Sequence, residues 1–149
     1  MTLRWLLASL HLLALGIGLG AVVVRGFALK SRLDGPALRW VFKADAAWGV
    51  AALLWIGTGV WRLLGGLEKG TAYYFQNHVF LTKMALLAIV LGLELRPMLT
   101  LIAWRRLTAQ GQVPDTAAAP RLAQVSFWQA GLIVLMVLLA AAMARGYGA

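Results

Sequence analysis

Four apolar runs, roughly 5–24, 45–64, 79–104 and 122–143, constrain this chain more than any other feature. A helix rises about 1.5 Å per residue and the hydrocarbon core of a bilayer is about 30 Å thick, so about twenty apolar residues cross it. Each run reaches that length. The chain is 62% hydrophobic and 13% charged, with a mean hydropathy of +0.80, and at 149 residues it is too small to hide that much apolar surface from water. In lipid, every backbone polar group needs a partner inside the span, which leaves the helix as the element for each run. The expected fold is all-α: an integral membrane four-helix bundle forming one transmembrane domain over residues 1–149. The first run is too long for a cleaved leader and shows no small-residue cleavage site before Arg25, so it is expected to stay as a span.

The net charge of +9 follows the same plan. Arg25, Lys30, Arg32, Arg39 and Lys43 in the first connection, with Arg105, Arg106 and Arg121 around the third, hold eight of the fourteen basic residues. Arg4, Arg62, Lys69 and Arg145 lie toward the opposite side, and Lys83 and Arg96 fall within the third run. Basic residues concentrate on the cytoplasmic side of membrane proteins, so both termini are expected on the outer (periplasmic) side. A membrane surface accounts for the charge, and no nucleic-acid partner is expected. The chain has no cysteine, which excludes thiolate metal sites, disulfides and covalent haem attachment.

The third run carries unusual residues for its depth: Lys83, Glu94, Arg96 and Pro97. Charges near the centre of a bilayer cost about 2.5–3.5 kcal/mol or more each. Lys83 and Glu94 are close to three turns apart, which puts them on one face about 16 Å apart along the axis. That face is expected to look into the bundle, with Pro97 kinking the helix beside Glu94. In the first run His11, Ala14, Gly18, Val22 and Arg25 share a stripe, and Gly16 and Gly20 have the spacing of close helix contacts. In the second, Asp45, Trp48, Ala52, Trp55, Gly59 and Arg62 share a face. The polar residues then fall into two layers. The outer one holds His11, Lys83, Trp55 and Thr58, with His78 just above. The inner one holds Asp45, Trp48, Glu94, Arg96, Ser126 and Gln129, with Arg25 at its edge. Buried charges pair, so Arg96 or Arg25 is expected to meet Glu94 or Asp45.

Three segments carry a family resemblance: LLASLHLLALGIGLGAVVVRGFALK, KADAAWGVAALLWIGTGVWRLLGGLEKG and NHVFLTKMALLAIVLGLELRPMLTLIAWRR. Together they resemble a family of small bacterial predicted membrane proteins of unknown function. That resemblance implies several crossings of a bacterial inner (cytoplasmic) membrane. More distantly, His11 and Lys83 look like positions of the HemJ-type protoporphyrinogen oxidases, four-helix haem-binding membrane proteins, and the Lys83-Met84-Ala85-Leu86 start resembles the CopD-type copper-resistance membrane proteins.

Two layers and these resemblances lead to three readings. In the first, the chain is a b-type haem redox protein or oxidoreductase. Haem b would sit in the outer half, on a His among small residues. His11 would ligate iron, with His78 as a possible second ligand. Lys83 and Arg62 would hold propionates, Trp55 and Gly18 would shape the slot, and Glu94 and Asp45 would relay protons. A membrane redox partner is then expected. In the second, a CopD-like protein moves a metal or small solute, as a homo-oligomer. In the third, the chain is a non-catalytic membrane subunit whose glycine faces dock on partners.

Overall fold

The computed structural model describes residues 2–65 and 70–148. Glu68 and Lys69 of the second connection lie outside the described residues. The described residues form five helices: α1 (Thr2–Lys30), α2 (Gly35–Leu64), the short α3 (Thr71–Gln76), α4 (His78–Ala109) and α5 (Ala119–Ala144). All but α3 are long and apolar enough to cross a membrane, so the all-helical four-span bundle stands. Both termini, the α2–α4 connection and α3 share one end, called here the terminal end. The α1–α2 and α4–α5 connections share the other.

The helices outrun the apolar spans at the connection end, where local signals start them early. Asp34 caps α2, its carboxylate accepting from the Ala37 N–H at 2.9 Å, and a proline occupies the first turn. Residues 35–44, ahead of the second apolar run, are the first turns of α2. Leu38 and Val41 bury there against Leu29, Leu101, Trp104 and Leu122. Asn77 caps α4 in the same way, accepting from Phe80 N–H at 3.0 Å. α4 then runs unbroken through a buried Pro97.

α1 packs on α2 and on α5, and α5 packs on α4, whereas α2 and α4 scarcely touch. Gly18 explains the tight α1–α2 seam: a Cβ there would stand 3.2 Å from the Trp48 ring and 3.4 Å from Ala51. The core thins along the bundle. A broad cluster at the connection end gives way to Val22, Trp48, Val90 and Ile133 in the middle. At the terminal end the buried apolar cluster, among the described residues, shrinks to Ala14, Trp55 and Met136. The missing packing there is a cavity.

Candidate functional site

Between the first two core clusters lies a polar layer built around Arg25, which is fully buried. A guanidinium has five N–H donors, and here five short bonds use them. Nε donates to Ser126 Oγ at 3.1 Å. Nη1 donates to Asp45 Oδ1 at 2.9 Å and Glu94 Oε1 at 2.7 Å. Nη2 donates to Glu94 Oε2 and Gln129 Oε1, both at 2.8 Å. The Gln129 amide is orientable from its partners alone, because its other end donates to Glu94 Oε2 at 2.8 Å and Val90 O at 3.2 Å. Arg105 closes the layer, its Nη2 donating to Asp45 Oδ2 at 2.7 Å and Phe42 O at 2.9 Å. Two cations face two carboxylates, so the layer is neutral, and every spanning helix contributes to it.

Asp45, Glu94, Ser126 and Gln129 of the expected inner layer come together, with Arg25 at their centre instead of at the edge, while Trp48 packs against Gly18 in the middle apolar cluster. Arg96 is exposed and takes no part; of the two arginines expected there, Arg25 meets Glu94. Two residues along a helix turn a side chain by about 200°, so Glu94 facing the bundle forces Arg96 outward. The two carboxylates proposed as a proton relay are held by arginines on both sides of the layer.

The second polar layer is some fourteen residues along α1, about 21 Å away. Here His11 bridges to α2. The Trp55 indole N–H donates to His11 Nε2 at 3.1 Å, and Nδ1 lies 2.9 Å from Thr58 Oγ1. An indole only donates, so Nε2 carries the lone pair and Nδ1 the proton. Thr58 can accept that proton because its own hydroxyl donates to Leu54 O at 2.6 Å. The hydrogen-bond pattern thus assigns His11 as the neutral Nδ1–H tautomer. Gly59 makes room for the ring: a Cβ there would stand 3.2 Å from His11 Cε1.

His11 and Trp55 form one wall of a cavity of about 550 Å³ at the terminal end, between all four spans. Most of the lining is apolar, from Leu15, Leu87, Met84 and Met136 among others. Lys83 and Arg62 line it too. Among the described residues the Lys83 ammonium has no carboxylate or hydrogen-bond partner. Tyr73 and Tyr74 of α3 add an aromatic edge, with Tyr74 packed 5.2 Å from Phe80. The chain's end is tied across the same region, Asn77 Nδ2 donating to Tyr147 O at 3.3 Å and His78 N–H to Gly148 O at 3.1 Å.

Of the residues expected to hold a cofactor, His11, Lys83, Arg62 and Trp55 come together on this cavity. Two do not. Gly18 lies against Trp48, where it serves the helix seam. His78 is exposed at the head of α4 and does not line the cavity. Sequence reasoning missed the α3 edge and the capping Asn77; an Asn immediately before a long apolar run was the available signal. Among the described residues no three His, Asp or Glu side chains gather as a metal site.

The model of one family, described as predicted membrane protein (DUF2214), matches residues 3–148. No curated protein and no solved structure matches the chain, so the likeness to the HemJ and CopD types rests on the residues quoted for it alone.

Proposed function

We propose that this chain, which belongs to the DUF2214 family of predicted membrane proteins, binds an amphiphilic carboxylate in its terminal-end cavity, with haem b as the ligand. One observation carries the reading. A mostly apolar cavity of about 550 Å³ is lined by a lysine ammonium without an acceptor among the described residues. A charge facing low-dielectric surroundings calls for an anion, and the apolar walls call for a hydrophobic body attached to it.

A porphyrin has both parts, and the residues present fit it. Lys83 and Arg62 would hold the propionates as charge-assisted partners. The aromatic and methionine walls suit a flat ring. His11 offers Nε2, whose lone pair would pass from the Trp55 N–H to iron, while the Nδ1–H bond to Thr58 keeps the ring oriented, as metal-bound histidines require. Bound haem would supply one-electron chemistry. In this reading Asp45 and Glu94 serve as counter-ions to Arg25 instead of relaying protons. The same filled layer supports a cavity that ends within the bundle, which argues against a solute path through one copy. With the basic connections in the cytoplasm, the cavity opens toward the outer side.

Titration of the purified protein in nanodiscs with iron protoporphyrin and with the metal-free porphyrin tests this, followed by tryptophan quenching. Lys83→Gln should weaken both by about 10-fold or more, the loss of one hydrogen bond to a charged group. His11→Ala should weaken only the iron form. Failure of the wild type to bind either, or equal binding by Lys83→Gln, would overturn the proposal.

A further inference from the structure

At the connection end α1 finishes beside the start of α5, and the groove between them encloses about 460 Å³. Lys30, Pro120, Ala123, Gln124, Phe127 and Trp128 line it. α5 supplies all of these but Lys30, and α1 seats the wall. Phe127 lies over Gly26, where a Cβ would come within 3.0 Å of the ring. Phe27 meets the same ring edge-on, centroids 5.1 Å apart at 74°. The Lys30 ammonium sits 5.6 Å from the ring centroid. Lys30 is thus stationed at the groove by a cation–π contact.

That ammonium is available to a ligand. Among the described residues no carboxylate or hydrogen-bond acceptor pairs with it. The nearby acids serve their own turns: Asp34 accepts from Ala37 N–H and Asp115 from Ala117 N–H. Arg32 and Arg121 are exposed on the same end. Trp128 is 64% exposed, and a tryptophan beside lysine at the end of a span belongs at headgroup level.

From this juxtaposition we infer that the α1–α5 groove is a binding site for one anionic phospholipid. Its phosphate pairs with Lys30 and takes a hydrogen bond from Gln124, and an acyl chain runs along Phe127 and Trp128. The charge complementarity is local to the groove, and a spanning protein meets phospholipid at this level by necessity. The site is separate from the terminal-end cavity and stands whether or not that cavity binds haem.

Native mass spectrometry of the full chain released from mixed phosphatidylglycerol and phosphatidylcholine nanodiscs tests it. The wild type should retain phosphatidylglycerol in preference. Lys30→Gln should lower retention by about 5-fold or more, as loss of a charge-assisted contact implies, while Arg32→Gln leaves it unchanged. A photo-cross-linking residue at Gln124, in a chain that keeps Lys30, should capture phosphatidylglycerol over phosphatidylcholine, which keeps the test alive should Lys30→Gln fold poorly. Unchanged retention in Lys30→Gln, equal loss in Arg32→Gln, or indifferent capture of both lipids would overturn the site.

Discussion

Replacing Arg25 by Met should be among the most damaging single changes available to this bundle, and adding Glu94→Met should cost little or nothing further. Arg25→Met removes five hydrogen bonds from a fully buried guanidinium and leaves Glu94, whose side chain is 16% exposed, as a carboxylate without a cation. Breaking one side of a buried pair costs about 3–5 kcal/mol. Glu94→Met alone leaves Arg25 with only Asp45 as counter-ion, which Arg105 already engages, and should cost a similar amount. The double variant removes a cation and an anion together. It keeps the pair between Asp45 Oδ2 and Arg105 and strands Asp45 Oδ1 with the Ser126 and Gln129 ends, all of which Arg25→Met already strands, so it should lose no more than either single change. The two singles therefore sum to about 6–10 kcal/mol and the double to about 3–5, a coupling of at least about 3 kcal/mol. Reversible unfolding by SDS titration, followed by circular dichroism, measures all four corners. Additive losses, with coupling under about 0.5 kcal/mol, would refute the account of a single cooperative layer.

Four further outcomes follow. Thr58→Val should destabilise by about 1–3 kcal/mol in thermal melts, because it strands the His11 Nδ1–H, whereas Thr58→Ser should be nearly neutral. Nitrogen chemical shifts of His11 in labelled ligand-free protein should report the Nδ1–H tautomer; an Nε2–H tautomer would contradict the Trp55 bond. Gly18→Val should cost about 1–3 kcal/mol by forcing Trp48 off its seat, while Gly16→Val, at a position with nothing within 4 Å, should be tolerated. Reporter fusions to the C-terminus and to the α1–α2 connection should place the first outside and the second in the cytoplasm; a cytoplasmic C-terminus would reverse the orientation.

The spans and the two polar layers were legible because lipid leaves few choices. Runs of that length must be helices, and helical spacing fixes which residues share a depth. His11, Trp55, Thr58 and Lys83 were grouped on that basis, as were Asp45, Glu94, Ser126 and Gln129. Depth alone does not give azimuth. Arg96 has the right depth for Glu94 and the wrong face, which its two-residue offset already implied. Gly18 shares the His11 stripe, yet a bulky residue on the neighbouring helix, Trp48, takes the space that a ligand would need. α2 begins ten residues before its apolar span, because the Asp34 cap and the proline after it start the helix and apolar density marks only the part that lipid covers. α3 is six residues long and is held by packing on Phe80, a tertiary cause that no local pattern announces.

The most direct measurement on the central claim is the visible absorption spectrum of the full chain purified from a host with ample haem, taken beside His11→Ala. The account predicts a Soret band in the wild type, visible bands that sharpen on reduction, and loss of both in a His11→Ala protein that still shows a folded helical spectrum. A wild type without a Soret band, or one whose Soret band survives His11→Ala, would contradict it.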